Sequence, residues 1–101
     1  MNRNEYLKDV SRIVIKVGTS SITKGGSGAS SEFMDSIARQ VKELKDKGIE
    51  VLIVTSGAIG LGLSAMNAKE RSREIPIRQA AASIGQSLLM MKWNESFQKF
   101  N

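Results

Sequence analysis

Lys16 stands near the end of the apolar run Ile13-Val14-Ile15-Lys16-Val17 and is followed at once by Gly18-Thr19-Ser20. Burial of an unpaired ammonium is strongly disfavoured, so a lysine in this setting calls for an anion. Glycine at 18 would let backbone N–H groups come close to phosphate oxygens. The plainer reading is a strand-end lysine whose charged tip snorkels to water, and the pattern alone leaves both open. A second candidate follows the apolar run Val51-Leu52-Ile53-Val54, where Thr55-Ser56-Gly57-Ala58 leads into a helical pattern. There the Ser56 hydroxyl and the N–H groups of Gly57 and Ala58 could hold a carboxylate. Equally, Ser56 could do no more than cap the helix after it. Open α/β sheets bind ligands beyond the carboxyl ends of their strands, and both loops belong at that edge.

Other chemistries are excluded for these residues. The chain has no His and no Cys, which removes imidazole acid–base catalysis, thiol catalysis, disulfides and the common zinc sites. No metal-ligating set is expected. Gly25-Gly26-Ser27-Gly28 lacks the Gly-Lys pair of a Walker loop, and Gly57, Gly60 and Gly62 follow the order GxxGxG, which is not the dinucleotide fingerprint. Fifteen Lys and Arg against ten Asp and Glu give a net charge of +5, which favours anionic partners. The basic residues are interspersed with Glu43, Asp46, Glu70 and Glu74, as on a solvated helix surface, and the aromatic residues are scattered. Nucleic acid is therefore not an expected partner, although a non-catalytic basic binding module remains the alternative from another functional class. No stretch is apolar enough to cross a membrane, and Met1 to Asp9 lacks the apolar core of a signal peptide, which points to the cytoplasm.

The elements that must carry these loops follow from periodicity. Two β-branched runs, Ile13–Val17 and Val51–Val54, read as strands buried on both faces. Between them Gly18 to Ser31 reads as a mobile polar loop. A helix then starts at Ser30 or Ser31 and ends at Gly48, with Phe33, Ile37, Val41 and Leu44 as its apolar face. Strand, helix, strand makes a parallel βαβ unit. A short helix from Ser56 to about Met66, a charged connection from Lys69 to Ile75, and a long helix opened by Pro76 complete the chain. The long helix is expected to bury Ile77, Ala81, Ile84, Leu88 and Met91, with Gly85 as a close-packing point, and to leave Met90, Met91, Trp93 and Phe97 seeking partners. Its 101 residues amount to one domain, divided into an extension over 1–11 and a folded part over 12–101. Two parallel strands are too few for an independent sheet, so a piece of a larger α/β protein is expected.

Three segments together carry a resemblance: Ile15-Lys16-Val17-Gly18-Thr19-Ser20, Val54-Thr55-Ser56-Gly57-Ala58-Ile59, and Arg78-Gln79-Ala80-Ala81-Ala82 with Gly85-Gln86. In order and spacing they closely resemble the amino-acid kinase family, from about Arg12 to the end of the chain. The resemblance implies an α/β fold: the N-terminal βαβ-αα part of a three-layer αβα sandwich with a mainly parallel sheet. It also implies ATP-dependent phosphorylation of the glutamate γ-carboxylate to glutamyl 5-phosphate, the first step of proline biosynthesis. Family members acting on aspartate, acetylglutamate or carbamate are the alternatives within that fold. Carried over by position, Lys16 is the expected catalytic residue. Lys16, Gly18, Thr19 and Ser20 would bind the ATP phosphates, and Ser56, Gly57 and Ala58 the substrate. ATP is the implied co-substrate, with Mg²⁺ arriving on it and not held by these residues. Glutamate is the implied acceptor, in an enzyme that forms a homo-oligomer. The remaining site residues and the adenine pocket of the family come from later sequence, so the chain by itself is expected to be inactive.

Overall fold

Strand β1 (Arg12–Val17) lies parallel to strand β2 (Glu50–Thr55), paired in register from Arg12 opposite Glu50 to Val17 opposite Thr55. In this computed structural model the described residues are 8–23, 29–67 and 74–100. The glycine-rich centre of the first loop, the charged connection between the last two helices and most of the expected N-terminal extension lie outside them. Among the described residues the sheet has two strands, and the parallel pairing agrees with the expected βαβ order.

The strands alternate, which the expectation of two-sided burial did not allow for. Ile13, Ile15 and Val17 face the helices, while Arg12, Val14 and Lys16 are exposed. On β2 the exposed set is Glu50, Leu52 and Val54. Val14, Leu52 and Val54 retain 62%, 52% and 54% of their accessible surface, an apolar patch uncovered by any described residue. A strand reads as an unbroken apolar run when both of its faces are meant for burial. Here the described residues cover only one face.

Helix α1 (Thr19–Thr23) replaces the first part of the expected polar loop. The cause is Ile22, the lone apolar residue among Ser and Thr, which is fully buried beside Val17 and Met34. The Ile22 amide donates to the Gly18 carbonyl at 3.2 Å, closing the turn. Helix α2 (Ser31–Asp46) starts where the sequence indicated: Ser30 is the N-cap, its hydroxyl accepting from the Phe33 amide at 3.3 Å. It stops at Gly48, which takes the left-handed conformation with φ 84°. Its buried face is Met34, Ala38 and Val41, flanked by the partly buried Phe33 and Ile37, so the face is rotated from the expected stripe.

Helix α3 (Ala58–Ala65) and helix α4 (Ile75–Gln98) form the tightest joint. A Cβ on Gly62 would overlap the backbone of Ala81, and one on Gly85 the carbonyl of Ala58. The glycines are therefore required for the two helices to touch backbone to backbone, as the Ala- and Gly-rich sequence suggested. Helix α4 buries Ala81, Gly85, Leu89, Trp93 and Ser96 against the rest of the molecule. Ile84 and Met91, expected inside, are exposed, and Trp93, expected outside, is 95% buried at 5% exposure. Phe97 is partly buried and stacks on Trp93 with ring centroids 5.9 Å apart. Met90 is exposed, as expected. No helix among the described residues is long and apolar enough to cross a membrane.

Candidate functional site

The carboxyl ends of β1 and β2 bring the two candidate loops together. The Ser56 amide donates to the Val17 carbonyl at 3.1 Å, continuing the ladder one step beyond the strands. Beyond it the Thr19 and Ser56 hydroxyls share a hydrogen bond of 3.0 Å. This contact ties the start of α1 to the loop before α3. Gly57, not Ser56, is the N-cap of α3, and no side chain caps that helix. The capping reading of Ser56 is thereby set aside, and its hydroxyl is turned to the other loop. Gly57 has φ 106°, a conformation that side chains with a Cβ rarely adopt, so the backbone itself calls for glycine there. A Cβ at Gly18, by contrast, would meet nothing within 4 Å. No neighbour forces glycine at that position, and the backbone there is open to an approaching group.

The second loop is braced from below. The Trp93 indole Nε1–H donates to the Thr55 hydroxyl at 3.3 Å, and that hydroxyl donates to the Ser56 carbonyl at 3.3 Å. Ile22 closes the other side, packed in the core and within van der Waals reach of the Gly57 position. Neither brace was anticipated. Ile22 was detectable as an apolar residue inside a polar run, whereas nothing local distinguishes Trp93.

Between these loops lies an open cleft of ≈ 460 Å³ lined by Thr19, Ser56, Gly57, Ala58, Ile59, Gly60, Leu63 and Arg78. It gathers Ser56, Gly57, Ala58 and Thr19 from the expected site. Lys16, Gly18 and Ser20 do not line it. Lys16 is exposed on the open face of the sheet, in register with Val54, with no ion-pair partner among the described residues. The argument from the burial of its charge therefore does not hold, since water reaches the ammonium. What remains for Lys16 is its place two residues before Gly18. Arg78, from the start of α4, contributes the one charged side chain lining the cleft among the described residues. No carboxylate lines it, and no group of three acidic residues close enough to hold a metal occurs among the described residues.

The model of the amino acid kinase family matches residues 11–101. The chain belongs to the amino acid kinase family. Within this family it is similar to proteins named glutamate 5-kinase. That of Methanosarcina barkeri is 50% identical over 105 aligned positions, covering 97% of this chain and 27% of the relative. That of Methanosarcina acetivorans is 50% identical, covering 98% and 28% respectively. A bacterial relative from Clostridium acetobutylicum is 41% identical, covering 97% of this chain and 37% of its own length. The chain thus spans between about a quarter and somewhat more than a third of the length of these curated relatives. The βααβαα order and parallel pair described above are those of an α/β amino acid kinase, in agreement with the fold expected from the three motifs.

Proposed function

We propose that these residues serve as the amino-terminal part of a glutamate 5-kinase, folded over 12–101. The reaction transfers the terminal phosphoryl group of ATP to the γ-carboxylate of glutamate. A carboxylate oxygen bonds to phosphorus as the bond to the bridging oxygen breaks, giving glutamyl 5-phosphate and ADP. The observation that carries the reading is the 3.0 Å contact between the Thr19 and Ser56 hydroxyls, which holds the phosphate-side and acceptor-side loops side by side at the strand ends. Phosphoryl transfer asks mainly for alignment of the two reactants and neutralisation of charge, so two loops held at fixed separation are the relevant equipment. In this reading Lys16 neutralises the transferring group. Gly18, Thr19 and Ser20 border the ATP phosphates, and Ser56 with the Gly57 and Ala58 amides receives the amino acid. Mg²⁺ would come bound to ATP. The family match and the names of the relatives support the glutamate kinase assignment; a place at the start of proline biosynthesis, the cytoplasm and a homo-oligomeric state are further parts of the same proposal.

The test is Lys16→Ala in the full-length polypeptide. The expected result is a kcat at least 100-fold lower, with a much smaller change in KM for glutamate; near-normal turnover would remove Lys16 from the site. Turnover of glutamate, aspartate, acetylglutamate and carbamate by the unaltered protein checks the acceptor. Preference for any of the last three would replace glutamate in the assignment.

A further inference from the structure

We infer that Ile22 is a positioning residue for the phosphoryl transfer: the tip of its side chain is the spacer that sets the distance between the phosphate-side and acceptor-side loops. This rests on the glutamate kinase reading above and adds to it a residue that does not line the cleft. Three observations meet at Ile22. Its amide donates to the Gly18 carbonyl at 3.2 Å, which ties it to the phosphate-side turn. Its carbonyl accepts from the Ser30 amide at 2.7 Å, which ties it to the N-cap of α2. Its side chain is fully buried, and Cδ1 lies 3.9 Å from the point that a Cβ on Gly57 would occupy.

The approach to Gly57 is what separates this side chain from the rest of the core. Chain neighbours aside, no other described atom comes within 4 Å of that point, so the Ile22 tip is the support on that side of the acceptor loop. Gly57 has no side chain to pack for itself, and its φ of 106° opens the turn into α3. The hydrogen bond between the Thr19 and Ser56 hydroxyls joins the same two loops at the surface, where water competes for both groups. The apolar contact beneath it is out of reach of water. Ile22 shares its core cluster with Val17, Met34 and Leu61, and close-packed interiors pass small displacements on to their neighbours. A methyl missing at this point is therefore felt as a change in loop separation, and alignment of two bound reactants is sensitive to such changes.

The experiment removes one carbon from the full-length polypeptide. Ile22→Val deletes Cδ1 while keeping the branch at Cβ and both backbone hydrogen bonds. The control is Val41→Ala, a truncation at a buried position of α2 that borders a separate hollow beside Phe97 and Phe100 and not the cleft between the loops. It is expected to lower the melting temperature at least as much as Ile22→Val. In Ile22→Val, kcat should fall about 10-fold while KM for glutamate and KM for ATP stay within about threefold, as a loss of alignment without a loss of binding would give. In Val41→Ala, kcat should be unchanged. The Ser56 amide, which donates to the Val17 carbonyl, should exchange with deuterium about fivefold faster in Ile22→Val than in Val41→Ala. A normal kcat in Ile22→Val would overturn the assignment, as would an equal loss of kcat in Val41→Ala or a change confined to KM. If the unaltered protein does not phosphorylate glutamate, the kinase reading itself falls; equal exchange at Ser56 in the two variants would then show separately that Ile22 does not hold the loops.

Discussion

Trp93 is the residue that ties the candidate site to the core. Its indole donates to Thr55, whose hydroxyl reaches the Ser56 carbonyl, so a side chain buried in the core steadies the loop from behind. A neutral hydrogen bond of this kind contributes about 1 kcal/mol net. Trp93→Phe keeps an aromatic ring beside Phe97 but removes the donor. In the full-length polypeptide it is expected to lower stability by about 1 kcal/mol and kcat several-fold. Thr55→Val also removes the bond to the Ser56 carbonyl, and the double variant should lose less than the sum of the two single variants, because the indole bond is counted in both. Additive losses would show that the indole does not hold Thr55. At this scale the sequence was legible where a residue's type is tied to its own backbone. Gly57 is such a case, with a left-handed φ that only glycine adopts freely. The partner of Ser56 was not legible, because a serine before a helix usually caps it and the competing hydroxyl lies 37 positions away at Thr19.

The helices show why spacing alone chose the wrong faces. Helix α4 carries apolar residues on more than one side: the expected stripe is Ile77, Ala81, Ile84, Leu88 and Met91, and its buried member Ala81 also belongs to a second stripe with Leu89 and Trp93. Periodicity cannot rank two stripes of similar strength. The choice is made by the small residues, since only the side bearing Ala81 and Gly85 lets α3 approach backbone to backbone. On α2 the buried set is Met34, Ala38 and Val41, again with a small residue at its centre. Helices α2 and α4 are also latched by polar contacts that no periodicity reveals. The Asp35 carboxylate accepts from the nearly buried Ser96 hydroxyl at 2.7 Å and pairs with the Lys99 ammonium at 2.7 Å. The hydrogen bond from Lys99, followed by that from Ser96, holds the Asp35 carboxyl below its ordinary value of 3.8. A carboxylate whose pKa is depressed by folding adds stability above its unfolded pKa and loses it as the pH falls through its folded one. Asp35→Asn should therefore melt at a lower temperature than the unaltered full-length polypeptide at pH 7. The gap should narrow steadily below about pH 4, where the native carboxylate takes up a proton. A gap independent of pH would mean that the latch acts through packing and not through charge.

At the scale of the molecule, the sheet decides the behaviour of the isolated chain. Two strands with one face open were legible as insufficient from their number alone, since parallel sheets are covered on both sides. The open face carries Arg12, Lys16 and Glu50 at alternate positions, a signal obscured by Val14 and Val54, which have the same apolar character as Ile15 and Ile53. Side chains of this size contribute about 1.5–3 kcal/mol each when fully buried, so leaving Val14, Leu52 and Val54 in water forgoes several kcal/mol. That loss is comparable with the whole stability of a small domain, about 5–15 kcal/mol. A polypeptide of residues 1–101 alone is therefore expected to self-associate through this face or to remain partly molten. Neither state would present a rigid site. Lys16, exposed on the same open face, would meet ATP only as a hydrated surface charge, where an ion pair contributes at most about 1 kcal/mol. ATP should then bind the isolated chain no more tightly than about 1 mM, which corresponds to about 4 kcal/mol. Size-exclusion chromatography with thermal melting reads the first expectation, and calorimetric titration with ATP the second. A monodisperse monomer that melts cooperatively would show that one covered face is enough to fold the chain, and micromolar ATP binding would show that these residues already hold a formed nucleotide site.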